Sequence, residues 1–447
     1  LTITHDNLNR KIFNLSMPAI VENILQTSIF IIDALMISRL GAKYLAAAVL
    51  SGSIIWRISF TLACVQAGTV AMVARFYGGR DYQRVNETIG QGLLLGAIVG
   101  TIALLIGTIG AHPFLQLMGG AEDVVEVGTP YIRIIFFASI FRFILFMGTA
   151  SLRGAGDTKT PMFITLLMNI VNAVLNWLLI FGVWIFPRLE LTGAAIASAI
   201  SMTLGCFLVL YVLLTGKSLV KVSIDAIRRF NMDIIRQIVR ISLPNGVEQV
   251  LMSAGFLIFV RMVAELGTVT LAAHGITLRI ESVSWMIGVG FAIATTTLVG
   301  QSLGQEDVGL AKRSFNNGML LATASMTFLG IIFLLFTRPL ISLFEPEFEV
   351  MDIAMICLRI TAFEQPLIAI AMTYAGGIRG AGDTTSPMIT GILGNIVVRV
   401  LVGYVLAFTL GMGIVGIYLA TVIDWACRSI VIFGFYRSGK WERVAIT

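Results

Sequence analysis

The sequence predicts an all-α integral membrane protein. It has twelve transmembrane helices, arranged as two parallel six-helix repeats about a pseudo-twofold axis along the membrane normal. Three observations carry this reading. Hydrophobic residues make up 57% of the 447 and charged residues only 13%, where a soluble domain carries about 25% charge. The mean hydropathy is +0.91. Charge-free runs recur along the chain, each long enough for a bilayer span of about 20 residues, and the whole pattern repeats at a fixed offset.

Taken in order, the expected helices of the first half centre near Ile24, Ser59, Ala97, Ile140, Met168 and Ser201. Those of the second half centre near Leu251, Ile287, Ser325, Ile370, Gly394 and Ile423. The third, fifth, sixth and ninth rest on stretches without Asp, Glu, Lys or Arg, 88–121, 160–187, 191–216 and 314–337, and a further charge-free stretch runs over 400–423. The second and eighth look longer than the membrane requires. Period-two alternation is missing, which argues against a lipid-facing barrel. The polar start, "LTITHDNLNRK", is not followed by a short apolar stretch with a cleavage site, so no removable signal peptide is expected. Cys64, Cys206, Cys357 and Cys427 are scattered in apolar segments, and His5, His112 and His274 are isolated. No GxxxxGK[ST] loop occurs. These features point away from a metal site, a cofactor or an enzyme.

Orientation follows from Lys and Arg. Nineteen fall in one set of connections, and only Arg39, Lys43, Arg188 and Arg338 in the other, so both termini are expected in the cytoplasm. The same asymmetry accounts for the formal charge of +6 without nucleic acid. The opposite connections carry "AEDVVE" and "FEPEFE". They read as solvated loops, or as a weak attraction for cations at an entrance.

"LRGAGDTKTPM" at 152–162 returns as "IRGAGDTTSPM" at 378–388, an offset of 379 − 153 = 226. The offset also matches Ser16 and Pro18 with Ser242 and Pro244, Glu22 with Glu248, Gly41 with Gly267, Arg133 with Arg359, and Asn169 with Asn395. A whole six-helix half is therefore duplicated. Six is even, so the halves run parallel, with substrate expected between them near the midplane. The expected division is an N-terminal lobe over 1–215, a basic amphipathic cytoplasmic linker over 216–238, and a C-terminal lobe over 239–447. The linker is expected on the inner membrane surface. In the cassette, Gly154, Gly156 and Pro161 suit a tight reversal and Asp157 suits a helix cap, with Arg153 as an inner-face anchor.

This arrangement resembles the MATE family of multidrug and toxic compound extrusion transporters. The resemblance rests on the paired "[LI]RGAGDT" turns, on "IIDALMISRLG" in the first helix, and on "TLAAHGITLRIES" and "TTTLVGQSLG" in the second half. It covers nearly the whole chain. It implies export of small organic, often cationic, compounds in exchange for H+ or Na+. The setting would be the plasma membrane with its lipid, and the protein a monomer with no cofactor beyond the coupling ion.

Charge at mid-bilayer is costly and marks function. Glu22, Gln26 and Asp33 share a face of the first helix, by rotation of about 100° per residue. Asn169, Asn172 and Asn176 share a face of the fifth, either as interhelical glue or, beside Asp33, as an oxygen-rich pocket. At the repeat offset Asp33 aligns with Phe259, Asn172 with Val398, and Asn176 with Val402. The fold did not need these polar groups twice. The resemblance implies that Asp33 couples the ion, with Gln26, Asn172 and the fourth-helix Tyr131 around it. It places Asn176 where that branch usually has a second Asp. A lone carboxylate with amide oxygens also suits a sodium ion.

In the second half the candidates are Glu248, His274, Glu281 and Glu364. Glu248 is the partner of Glu22 in the repeat, and a resemblance to another MATE branch touches its helix. His274 and Glu281 share a face of the eighth helix, and ion pairs of Glu281 with Arg399 or Arg279 are the structural alternative. The competing function is a flippase for lipid-linked oligosaccharides or lipids of the same superfamily. Twelve spans and a carboxylate-plus-amide track speak against it.

Overall fold

A computed structural model describes residues 7–444, with residues 60–63 described by their backbone alone. Among the described residues the elements are helical throughout, as the absence of period-two patterning requires. The first half comprises α1 (Leu8–Ser38), α2 (Ala42–Ala63), α3 (Gln66–Gly78), α4 (Tyr82–Leu117), α5 (Glu122–Phe137), α6 (Ser139–Ala155), α7 (Lys159–Phe181) and α8 (Glu190–Thr215). After the short linker helix α9 (Ile224–Arg228) come α10 (Met232–Glu265), α11 (Thr268–Gly304), α12 (Val308–Leu335), α13 (Thr337–Ser342) and α14 (Phe348–Gly380). The chain ends with α15 (Thr385–Ile392) and α16 (Gly413–Arg437). Between these two, α15 is prolonged by π-helical turns at Leu393–Val402 and Val405–Thr409, making one span over Thr385–Thr409.

Ten helices among the described residues are long and apolar enough to cross a membrane, and eleven when α5 and α6 count as one span bent by 46°. The bend falls where Ser139 turns its hydroxyl onto the carbonyls of Phe136 (2.6 Å) and of Gly100 in α4 (2.7 Å), a side-chain insertion of the kind that kinks helices. The remaining expected span, near Ser59, falls on α2, of which residues 60–63 are described by their backbone alone.

Contacts divide the chain into two units. One holds Val21–Tyr77 and Asp81–Arg240; the other holds α1 up to Ile20, Gly78–Arg80 and the chain from Ile241 on. The linker belongs to the first unit for a local reason. Gln91 of α4 donates to the carbonyls of Ala226 (2.9 Å) and Arg229 (2.7 Å), and its amide oxygen accepts from Asn231 N (3.0 Å). In the second unit α11, α12 and α16 pack on α14. Leu8, Ile12, Leu15 and Ile20 join Phe291, Leu298 and Met326 in one of its apolar cores.

The cassette does the same work in each unit. Arg153 pairs with Glu22, and Arg379 grips both oxygens of Glu248 at 2.8 Å. A Cβ on Gly154 would meet the carbonyl oxygen of Val70, and one on Gly380 that of Thr296, residues 226 apart. Gly156 (φ 94°) and Gly382 (φ 96°) take the left-handed conformation that closes a helix. Asp157 then caps α7 through Thr160 N (3.0 Å), and Asp383 caps α15 through Ser386 N (3.0 Å).

Candidate functional site

In the first unit the two expected polar faces meet. Asn169 of α7 donates to the carbonyl of Leu25 at 2.6 Å, which registers α7 against α1. Two turns further, Asn176 Nδ2 donates to Asp33 Oδ1 and, at 3.0 Å, to Asn172 Oδ1. Asn172 in turn donates to Ser198 Oγ on α8 at 3.2 Å. Asn172 and Asn176 are buried and Asp33 is half-buried. The amide oxygen of Asn176 is buried without a partner. Tyr131 of α5 is buried within electrostatic reach of Asp33 and of Arg142. The result is a carboxylate, two amides and hydroxyls inside apolar helices, chemistry that suits a proton or a small hard cation.

The rest of the first-helix track does something else. Gln26 is exposed and donates to Glu22 Oε1 (3.2 Å) rather than to Asp33. Glu22 takes the Arg153 guanidinium. Its repeat partner Glu248 holds Arg379 in the same way.

In the second unit, His274, Glu281 and Glu364 line one cavity of about 270 Å³ with Arg399, Trp285 and Trp425. Glu248 is not among its lining residues. Glu281 of α11 and Glu364 of α14 interact carboxyl to carboxyl. His274 Nδ1 meets Tyr418 Oη at 2.7 Å. The expected ion pair of Arg399 with Glu281 is corrected: Arg399 Nε bonds Asp424 Oδ2 at 2.7 Å and reaches Glu281 only through its longer-range field. Arg428 takes the same aspartate, Nε to Oδ1 at 2.6 Å and Nη2 to Oδ2 at 2.9 Å. Asp424 has no solvent exposure. Its two-sided pairing supplies what a buried carboxylate needs.

Asp424, Arg428 and Tyr418 were not singled out from the sequence. The signal was there: Asp424 follows Ile423, the expected centre of the last span, and Arg428 stands one turn later. The π-helical turns that carry Asn395 and Arg399 were not foreseen either. Such turns gather at functional sites.

Long apolar helices in a duplicated pattern, with polar clusters buried inside each unit, define a multi-pass membrane protein. The MatE family model matches residues 18–178 and again 244–405. The two stretches start 244 − 18 = 226 residues apart and together cover well over half the chain, which belongs to this family, the MATE transporters. The chain is 27% identical over 440 residues to the probable multidrug resistance protein NorM of Thermotoga maritima, covering 98% of this chain and 94% of that one. It is 28% identical over 436 residues to the probable multidrug resistance protein YoeA of Bacillus subtilis, covering 96% and 94%. Among solved structures, the outward-facing conformation of a multidrug resistance MATE family transporter of the MOP superfamily shares the fold. The TM-score is 0.89 at 22% identity, covering 99% of this chain and 100% of that one. These likenesses do not favour the flippase alternative.

Proposed function

We propose that this chain is a secondary active multidrug exporter of the plasma membrane, with both termini cytoplasmic and a monomer as the working unit. It moves small organic, mainly cationic, compounds outward by alternating access in exchange for H+ or Na+, which binds at Asp33 with Asn172, Asn176 and Tyr131. The observation that supports this most is the buried, unpartnered amide oxygen of Asn176, whose amide nitrogen holds the Asp33 carboxylate. A buried polar atom without a partner is costly. A cation that this oxygen helps to hold, or a proton brought to the site, meets that need. Ion binding neutralises Asp33, and its release leaves a charge inside an apolar helix bundle. The two states therefore differ in the free energy that a conformational change can follow.

The test is dye efflux in proteoliposomes under separate proton and sodium gradients. One gradient is expected to drive efflux by the parent, and Asp33→Asn to abolish it in a folded, inserted protein. Full gradient-driven efflux by Asp33→Asn sinks the proposal.

A further inference from the structure

The segment that follows α8 is fixed rather than slack. Asn86 of α4 accepts from Ser223 N at 2.7 Å and donates to Ser223 Oγ at 3.1 Å. Gln91, one turn further along α4, holds the far end of α9 through Ala226, Arg229 and Asn231. Ser218 donates to Asp157 of the cassette, and Val222 N donates to the Leu213 carbonyl at 2.9 Å. Held in this way, the chain alternates: Val220 and Val222 are buried, Leu219 and Lys221 exposed.

The outward side carries charge that the protein does not balance. Over 216–240, six Lys and Arg stand against Asp225 and Asp233, 6 − 2 = +4, and all eight are exposed. Among the described residues no carboxylate pairs with Lys221, Arg228 or Arg229. Leu219, Ile224, Phe230 and Met232 are exposed among these cations. Cations interleaved with large apolar side chains suit an anionic leaflet, the charges at the headgroups and the apolar groups just below them. Two exposed tyrosines mark the same level, as tyrosines do at a membrane interface. Tyr82 opens α4. Tyr211 stands near the end of α8, where Lys217 Nζ donates to its hydroxyl at 2.6 Å and lies 4.7 Å from its ring centroid.

Between the start of α4 and this segment lies a cavity of about 490 Å³, a size usual for ligand sites. Tyr82, Asn86 and Ser223 give it polar walls, Leu219 an apolar one, and Lys221 a positive charge. No acidic residue lines it among the described residues. Ser223 Oγ accepts from Asn86 Nδ2 and, at 3.2 Å, from Ala226 N, so its own hydrogen is left to donate. The cavity therefore offers a cation and a hydroxyl donor, with an apolar side chain at its edge.

We infer that this cavity holds the headgroup of an anionic phospholipid. The phosphate sits at Lys221 with the hydroxyls of Ser223 and Tyr82, and Leu219 and Ile224 lie among the first carbons of the acyl chains. Arg228 and Arg229 favour the acidic leaflet around it. The bound lipid bridges α4 and the segment after α8, both parts of the first unit, and so stabilises that unit. The site uses neither Asp33 nor the export reading and stands if that reading fails.

The experiment is native mass spectrometry of the purified full chain in detergent, titrated with phosphatidylglycerol, phosphatidylcholine and glycerol 3-phosphate. One phosphatidylglycerol is expected to be retained about tenfold more tightly than phosphatidylcholine. Glycerol 3-phosphate carries the phosphate without acyl chains and is expected neither to bind nor to compete. Lys221→Gln should remove the tenfold preference and Lys221→Arg keep it. Lys43→Gln, in the opposite set of connections, should leave it unchanged. Phosphatidylglycerol should also raise the unfolding temperature of the parent but not of Lys221→Gln. Thermal unfolding of each variant confirms the fold. Tyr82→Phe, which deletes one donor and keeps the ring, is the second variant if Lys221→Gln does not fold, with a loss of about fivefold expected. Equal retention of the two lipids, or a preference unmoved by both Lys221→Gln and Tyr82→Phe, overturns the site. So does an equal loss in Lys43→Gln, which would mean binding by overall charge. Competition by glycerol 3-phosphate would make it a site for soluble phosphates and overturns the lipid assignment.

Discussion

The two units share their joints and differ at their centres. Each has an RGAGDT cassette whose arginine grips a glutamate of the first helix in its half, Glu22 or Glu248. In each, the first cassette glycine lies against a neighbouring backbone carbonyl, and the aspartate caps the next helix. Away from the joints the resemblance stops. The first unit sets Asp33 against Asn176, where the second has Phe259 and Val402 at the repeat positions. The second builds Glu281, Glu364 and His274 around an Arg–Asp–Arg cluster, where the first has Ile55, Ala138 and Ala48. Positions fixed by folding stay paired after duplication. Polar positions that lost their pair are where function is to be sought.

The largest expected effect falls on an unpaired position. Asp33→Asn should remove gradient-driven efflux altogether while leaving the unfolding temperature of the purified protein near that of the parent. A strong loss of stability in this variant would move Asp33 to the side of the joints.

The paired ion bridges should behave in the opposite way. Glu22→Gln leaves Arg153 without its carboxylate, and Glu248→Gln does the same to Arg379. Breaking a buried pair costs about 3–5 kcal/mol. Each arginine keeps some exposure, 16% for Arg153 and 26% for Arg379, so about 2–3 kcal/mol is expected. Both variants should lower the unfolding midpoint by similar amounts. A large drop in one and none in the other would break the parallel between the units.

A smaller and graded contrast is expected at the cassette glycines. A Cβ on Gly380 would sit 2.1 Å from the Thr296 carbonyl oxygen, and one on Gly154 2.9 Å from that of Val70. Overpacking of this kind costs about 1–3 kcal/mol. Gly380→Ala should therefore destabilise more than Gly154→Ala in thermal unfolding. The opposite order would mean that α14 and α11 separate more readily than α6 and α3.

The joints were legible because glycine, proline, arginine and aspartate at fixed spacing leave few conformations, and the second copy confirmed the first. The first-unit site was legible because Asp33 and Asn176 follow helical periodicity, and the two faces need only meet. Gln26 was misplaced: one turn separates it from Glu22, and the shorter reach won. The Arg399 pairing was misjudged because Asp424 had not been singled out, although it stands nearer to Arg399 in sequence than Glu281 does. The π-helical turns after Ile392 leave no mark in the pattern of apolar residues.

The finest distinction concerns Asn176, which stands where a second carboxylate would make a like-charged pair with Asp33. Its Nδ2 donates to Asp33 Oδ1 while its own oxygen has no partner. Asn176→Asp replaces a donor by a second acceptor with charge. Two adjacent carboxylates favour a shared proton. If a proton is the coupling ion, the pair should keep it to higher pH, and the pH profile of dye efflux should shift upward. If sodium is the coupling ion, the added charge should tighten sodium binding, and half-maximal efflux should come at lower sodium with little movement along pH. The two outcomes differ in which axis moves. Measuring efflux over a grid of pH and sodium, for parent and mutant alike, reads both at once. A mutant that matches the parent on both axes would show that position 176 does not act on Asp33 during transport. The ion site would then have to be sought among the carboxylates of the second unit.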